Sequence, residues 1–169
     1  MPSSINNHGP IKGLEIKVGA LVMAGDEILL IKEKGEPGSK YRWNLVKGSF
    51  DPKQDRSLFD TAIRECQEEI NTKVKIKNLI NIIYYRQKDK IRVQFNFLCQ
   101  GKIKKATLSS QSEQSLRGED ISEIRLFSKN QLARIKKQEF IDERGHLVVN
   151  DFLRGKLQDI SLVREIINL

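Results

Sequence analysis

Three glutamates lie close together in segment 64–69, which reads Arg-Glu-Cys-Gln-Glu-Glu. On a helix, residues three and four apart share a face, so Glu65, Glu68 and Glu69 would form one patch of carboxylates. Like charges this close repel one another unless a cation lies between them, and carboxylate oxygens are preferred ligands of Mg²⁺. The spacing therefore indicates a site for a hard divalent cation. The alternative is a solvated acidic face, which is common on Glu-rich helices.

Two further residues have properties that suit such a site. The guanidinium of Arg64 could orient a neighbouring carboxylate through a charge-assisted hydrogen bond. Gly48 has no Cβ and would let a backbone carbonyl approach an ion closely. Arg64 is therefore a predicted catalytic residue, and Gly48 joins the three glutamates as a predicted metal-site residue.

A helix must hold these carboxylates, and the sequence predicts one. Ser57 is a suitable N-cap, Asp60 places a negative charge in the first turn, and Asn71 suits the left-handed conformation that ends helices. Between them, apolar residues recur at helical spacing. They are Leu58, Phe59, Ala62, Ile63, Cys66 and Ile70. The predicted helix therefore runs to about Ile70, with its apolar stripe facing a core.

The rest of the chain alternates between strand-like runs and polar breaks. Two hairpins are predicted, one from residues 16–24 and 27–31, the other from 74–85 and 91–99. A loop at 35–39 leads to a short strand before Gly48, and residues 102–118 are predicted to form a long loop. A strand at 123–127, a helix that begins at Ser128 with Gln131 as capping-box partner, and an amphipathic helix at 159–169 complete the prediction. Strands mixed with two or three helices favour a layered α/β or α+β domain.

Composition sets the outer limits of the interpretation. A chain of 169 residues suits one domain, predicted at residues 13–169 after a flexible N-terminus at 1–12. No apolar run is long enough to span a membrane, and the polar start lacks a secretory signal, so a cytoplasmic location is expected. Cys66 and Cys99 fall in apolar stretches and are expected to be buried and reduced. The net charge of +8 favours anionic partners, although scattered lysines are also common on solvated faces.

The pattern of Gly48, Arg64-Glu65, an apolar Cys66 and Glu68-Glu69 closely resembles the Nudix box, G-x5-E-x7-R-E-U-x-E-E-x-G-U, in which U is a bulky apolar residue. Residues 43–48, Trp-Asn-Leu-Val-Lys-Gly, resemble the family's W-x-L-P-x-G approach. Residues 123–128 resemble its later strand-to-helix segment. The resemblance covers roughly residues 16 to 135, most of the chain.

Three departures touch different parts of this pattern. The interval from Gly48 to Arg64 is two residues longer than in the family, so the usual intervening glutamate is missing. Counting in strict register gives Arg56 or Gln54 at its place, and Asp55 or Asp51 could substitute. The late glycine of the box is Asn71, which tolerates the left-handed conformation better than most residues. Thr72 and Val46, which replace an apolar residue and a proline, are minor changes.

The resemblance implies an α/β/α sandwich with a mixed β-sheet between helices. It also implies hydrolysis of a nucleoside diphosphate linked to another moiety, with Mg²⁺ or Mn²⁺ as the cofactor and with Glu65 and Glu69 as the principal ligands. Family members differ in the base that deprotonates water; some use a box glutamate, and others use a carboxylate in the loop before the late strand. Glu119 and Asp120 occupy that loop here and are candidate catalytic residues, although a polar turn around Gly118 is the alternative.

Substrate recognition is less visible in the sequence. Arg42, Trp43, Arg86 and Arg92 are candidate substrate-binding residues, because they could stack on a base or pair with phosphate. Tyr84 and Tyr85 are weighed with them. The alternative for Trp43 and Tyr84 is a place in the core or on its rim.

Several functions share these features. The family resemblance is compatible with nucleoside triphosphates, dinucleoside polyphosphates, nucleotide sugars or the 5′ end of RNA as substrates. The altered box spacing also suits a non-catalytic module that binds a nucleotide to sense it or to regulate a partner, and the positive charge suits an RNA-binding protein. Nudix-type domains are often dimeric, so the resemblance also makes a homodimer an expectation.

Overall fold

A computed structural model describes residues 10–102, 106–164 and 166 of the protein. Most of the expected flexible N-terminus at residues 1–12 lies outside the described residues. The strands are β1 Gly13–Ala24, β2 Glu27–Glu33, β3 Arg42–Asn44, β4 Val46–Ser49, β5 Val74–Gln87, β6 Lys90–Gly101, β7 Ile121–Ser128 and β8 Gln158–Asp159. The helices are α1 Leu58–Ile70, α2 Gln111–Arg117, α3 Lys129–Leu132 and α4 Glu143–Leu153, with short 3-10 turns at Lys137–Glu139 and Ile160–Leu162.

The strands form one mixed sheet in the order β3-β2-β1-β6-β5-β8, with β4 paired to β1 and β7 paired to β2. Strands β1 and β6 are parallel over eleven residue pairs, whereas the other pairings are antiparallel. Both predicted hairpins are present as β1–β2 and β5–β6. The predicted α/β fold with a mixed sheet is therefore confirmed.

Alternating residues of β1 bury on opposite faces of the sheet, as the twofold period of a strand requires. Val18 and Ala20 join one core cluster, which contains Cys66 and Ile70 of α1. Leu21 points the other way, into a second cluster with residues of α4. Helices α1 and α4 therefore cover opposite faces of the sheet. Both cysteines of the chain are buried thiols, as expected.

Helix α2 corrects the prediction of an unbroken loop at residues 102–118, of which 103–105 lie outside the described residues. Ser110 and Glu113 form a capping box, and Gly118 ends the helix with a φ of 72°. The buried residue of this helix is the polar Gln114, so the sequence has no apolar stripe that would indicate a helix here. The S-x-x-E pattern and the following glycine were the available signals.

Two other parts of the chain differ from the sequence prediction. Helix α4 was not predicted, although Asp142 caps it by accepting bonds from the backbone N–H groups of Arg144 and Gly145. The amphipathic helix predicted at residues 159–169 is wrong in its described part, because Asp159 ends β8 and residues 160–162 form a 3-10 turn. Pairing of β8 with β5 fixes the chain there in an extended conformation. Residues 165 and 167–169 lie outside the described part.

Within the described residues, no helix combines the length and the apolar character needed to cross a membrane.

Candidate active site

Helix α1 begins and ends where the sequence predicted. The Ser57 side chain accepts a bond from the backbone N–H of Asp60, and Asn71 ends the helix with a φ of 49°. The helix buries Glu65 and Glu69, which are 6% and 3% exposed, together with its apolar residues. A solvated acidic face is therefore excluded for these two glutamates.

A third carboxylate meets them from the loop before β7. One oxygen each of Glu65, Glu69 and Glu119 lies within 4.8 Å of the other two, a spacing that could hold a metal ion. The Oε2 atoms of Glu69 and Glu119 are buried and have no hydrogen-bond partner among the described residues. A buried carboxylate oxygen without a partner is costly, so these two atoms suit the coordination of a cation. We call Glu65, Glu69 and Glu119 the carboxylate cluster.

Glu68 has a different environment from the cluster. Its Oε2 accepts a bond of 3.0 Å from Arg64, and its side chain remains 28% exposed. It borders the same cavity but is not a member of the cluster. The sequence pattern placed all three helix glutamates in one patch, whereas the structure brings only two of them together with Glu119.

Burial alters the proton affinity of the cluster. It raises the pKa of Glu65 to about 7, against the opposing charge of Arg64. It also raises the pKa of Glu69 far above its ordinary range, with Glu33 and Glu65 adding repulsion. A carboxyl group out of water disfavours its charged form unless a cation compensates. The raised pKa values of Glu65 and Glu69 and the unpaired oxygens of the cluster therefore both fit a cation site.

Gly48 is required by the approach of Glu65. A Cβ at Gly48 would lie 1.8 Å from Oε1 of Glu65, far inside contact distance. Strand β4, which carries Gly48, therefore touches the carboxylate itself, and Glu65 needs a glycine at this position.

Arg64 is held by Asp55, one of the two carboxylates that could substitute for the missing glutamate of the box. Its Nε and Nη2 donate to Asp55 at 2.8 and 2.9 Å, and Nη1 donates to Glu65 at 2.7 Å. Asp55 also accepts from Thr61 and from the backbone N–H of Asp51. The bond from Arg64 lowers the pKa of Asp55 below its usual value, so this buried carboxylate is charged. Asp55 thus orients Arg64 despite the two extra residues.

Asp120, the other carboxylate predicted in the loop, lies outside the cluster. It accepts a bond of 2.6 Å from the Tyr41 hydroxyl and lies 3.4 Å from Lys34. By contrast, the Oε1 atom of Glu119 pairs with Arg117 at 2.9 Å, and its Oε2 is buried without a hydrogen-bond partner among the described residues. Of the two residues, Glu119 is the one that belongs to the carboxylate cluster.

The carboxylate cluster opens into a cavity of about 1050 Å³. Its lining contains equal numbers of acidic and basic side chains and no aromatic ring. The basic residues are Lys17, Lys34, Lys40, Arg42, Lys47, Arg64, Arg117 and Arg144. Compensation of the cluster by a cation would leave the remaining surface positive, which suits a polyanion.

The four predicted substrate-binding residues separate into two groups. Arg42 lines the main cavity, and Arg92 lines a smaller adjoining cavity of about 310 Å³, where Glu15 holds it at 2.6 Å. Trp43 is 6% exposed, packs edge-on against Phe127 and lines neither cavity. Arg86 also lines neither, and its Nε donates to the backbone carbonyl of Lys88. Trp43 is therefore a core residue, the alternative that its sequence context left open.

Several cavity residues were not found from the sequence. Glu33 is half-buried at the end of β2, accepts a bond from Asn44, and has a pKa raised by removal from water. Lys17 donates to Ser49 and has a pKa lowered by burial. Arg144 lies 4.1 Å from the ring centroid of Tyr85. Their positions depend on strand pairing and on the unpredicted α4, and no local motif marks them.

The fold and the site together define a Nudix-type domain. The sequence model of the NUDIX domain family matches residues 13–147, so the chain belongs to this family. The fold is that of the Nudix-type hydrolases. No curated protein matches the chain.

Solved structures show the same architecture at low identity. A NUDIX hydrolase from Nitrosomonas europaea has a TM-score of 0.70 and 18% identity, over 90% of this chain and 97% of that one. A MutT NUDIX hydrolase from Burkholderia pseudomallei has a TM-score of 0.63 and 15% identity, over 83% and 98% of the two chains. The NUDIX domain of NrtR from Shewanella oneidensis, complexed with ADP ribose, has a TM-score of 0.63 and 14% identity, over 88% and 94%.

Proposed function

We propose that this protein hydrolyses a pyrophosphate bond in a nucleoside diphosphate linked to another moiety, with Mg²⁺ or Mn²⁺ as the cofactor. The observation that carries the proposal is the carboxylate cluster with its two unpaired buried oxygens, at the wall of a cavity whose other lining residues include more basic than acidic side chains. We also propose residues 13–169 as one domain and a cytoplasmic location.

The donor set fits a hard divalent cation, because all three members of the carboxylate cluster offer oxygen ligands. A bound cation would neutralise phosphoryl charge and lower the pKa of a water molecule near the scissile bond. Glu65, Glu69 and Glu119 would hold it. Arg64 is a positioning residue, because its bonds to Asp55 fix the guanidinium that donates to Glu65.

Basic residues that line the same cavity would bind the diphosphate. Lys17 donates to Ser49, which is a neutral partner, so its charge is available for an anion. Lys47 is only loosely compensated, at 4.0 Å from Glu33 and 3.9 Å from Asp142. Cations held in a partly buried cavity bind phosphate more strongly than cations in water. The ADP ribose bound to the Shewanella oneidensis domain supports a nucleotide-derived ligand.

The test is cleavage of a substrate panel by the full chain with Mg²⁺, with Mn²⁺ and with EDTA. The panel contains nucleoside triphosphates, dinucleoside polyphosphates, nucleotide sugars, ADP ribose and 5′-triphosphate RNA. We expect metal-dependent release of a phosphorylated product that Glu69→Gln reduces by about 10²-fold or more, because the variant lacks a ligand charge. Glu27→Gln, at the exposed first residue of β2, is the matched control.

The same experiment distinguishes the rival functions. Nucleotide binding without turnover under any condition would refute hydrolysis and favour a sensing module. Cleavage confined to 5′-triphosphate RNA, with an affinity that falls steeply as salt increases, would identify RNA ends as the substrate. Equal activity of wild type and Glu69→Gln would show that the carboxylate cluster is not the reaction centre.

A further inference from the structure

A chain of hydrogen-bonded side-chain amides, two of them buried and one half-buried, runs along the sheet from the smaller cavity to helix α4. Nε2 of Gln94 donates to Oδ1 of Asn96 at 2.7 Å, and Nδ2 of Asn96 donates to Oδ1 of Asn81 at 2.9 Å. Nδ2 of Asn81 then donates to the Asp151 carboxylate at 2.8 Å, which also pairs with Lys156. Gln94 and Asn96 are 2% and 0% exposed. We call these residues the amide relay.

The carboxylate at its end fixes the direction of the amide relay. Hydrogen bonds from Asn81 and Lys156 outweigh burial and lower the pKa of Asp151, so it is ionised and can only accept. Asn81 must therefore turn its NH₂ group toward Asp151 and its oxygen toward Asn96. Asn96 must likewise turn its NH₂ group toward Asn81 and its oxygen toward Gln94. An amide rotated by 180° anywhere along the relay would bring two acceptors together.

At the other end, Gln94 lines the smaller cavity with Tyr85 and Arg92. One N–H of Gln94 Nε2 is used within the relay, which fixes the orientation of the amide and leaves Oε1 as its acceptor for the cavity. The smaller cavity also includes Lys17 and Gly48, which line the main cavity as well. Gln94 therefore lines a cavity that adjoins the one at the carboxylate cluster.

We propose that Gln94 is a specificity-determining residue, which accepts a hydrogen bond from a donor group on the nucleoside part of the substrate, and that Asp151 acts as a positioning residue through the amide relay. The proposal rests on the proposed function, because it assigns the smaller cavity to the substrate of that site. A buried hydrogen-bond acceptor among basic residues favours a ligand that carries both a hydrogen-bond donor and an anionic group. A ligand without the donor would leave the amide oxygen unpaired.

The binding test uses uncleavable α,β-methylene nucleoside diphosphates, so affinity is measured whether or not turnover occurs. The tightest binder of the four common bases is compared with analogues that each lack one donor group, either a base amine or imine N–H or a ribose hydroxyl. We expect one analogue to bind wild type about tenfold more weakly, as loss of a buried hydrogen bond predicts. The analogue that loses affinity identifies the donor as part of the base or the sugar.

The variants separate recognition from simple damage to the fold. Gln94→Met keeps the shape of the side chain but cannot accept this bond, so it should bind all analogues within about twofold of one another. Asp151 lies outside both cavities, yet Asp151→Asn replaces a carboxylate that can only accept by an amide that can accept or donate. The variant therefore no longer fixes the direction of the relay and should reduce the same discrimination. A merely structural role would weaken every ligand equally. Gln100→Met, at an exposed position on the same strand, is the control and should retain wild-type discrimination.

The relay itself is tested without a ligand by NMR. The side-chain NH₂ protons of Gln94 should exchange slowly with solvent in wild type and faster in Asp151→Asn. Fast exchange in wild type, or a Gln94→Met protein that retains the tenfold discrimination, would overturn the proposal. Donor-dependent binding without any cleavage would refute hydrolysis alone. Cleavage by a protein whose ligand discrimination ignores Gln94 would refute this inference alone.

Discussion

The buried Glu65 carboxylate should make the metal-free protein less stable as pH rises. Folding removes this group from water and raises its pKa from 4.5 to about 7, with burial as the main cause. Between these two values the folded state keeps a proton that the unfolded chain releases. The free energy of unfolding therefore falls as pH rises through this window, and the full penalty is present above pH 7.

The size of the effect follows from the same values. Each pH unit between the unfolded and folded pKa corresponds to about 1.4 kcal/mol. The interval from 4.5 to about 7 for Glu65 thus corresponds to roughly 3 kcal/mol of stability lost between pH 4.5 and pH 8. Little discount for solvent is needed, because Glu65 is 6% exposed. A Glu65→Gln variant carries no such charge and should escape this loss.

Urea unfolding of wild type and Glu65→Gln, with EDTA present, measures the effect at pH 5 and at pH 8. We expect the variant to gain roughly 2.5 kcal/mol relative to wild type between the two pH values, because only the wild type deprotonates. Glu68→Gln is the matched control, since it also removes a negative charge that pairs with Arg64, but its side chain is 28% exposed. If the free energies of unfolding of wild type and Glu65→Gln differ by the same amount at both pH values, the reasoning is refuted.

Two further substitutions test the supports of the site. Gly48→Ala should displace the Glu65 carboxylate, abolish metal-dependent cleavage and cost about 1–3 kcal/mol of stability, measured by a cleavage assay and urea unfolding. Normal activity in this variant would mean that cleavage does not require the observed position of the Glu65 carboxylate. Asp55→Asn should cost about 3–5 kcal/mol, because it leaves the partly buried Arg64 without its main partner, and the denaturation midpoint reports the loss. An unchanged midpoint would show that the pair contributes nothing.

The Arg64–Asp55 pair shows where prediction from the sequence of the box reaches its limit. The altered spacing left Asp55 and Asp51 as alternative substitutes for the missing glutamate. Only the loop conformation between Gly48 and α1 decides between them, because it turns both oxygens of Asp55 toward Arg64 and uses the Asp51 backbone as a further donor. Sequence spacing cannot predict which of the two carboxylates contacts Arg64, since a loop of fixed length has many conformations.

The sequence by itself determined helix α1, its caps, the two hairpins and the family resemblance, because these depend on local propensity and on short-range periodicity. Local spacing also placed Glu65 and Glu69 on one face of α1. Tertiary structure alone decided that Glu119 completes the carboxylate cluster while Glu68 turns to Arg64. It also decided that Gln94 lies in a relay ending on α4. These contacts join residues far apart in the chain, and the packing of two helices on opposite faces of the sheet brings them together.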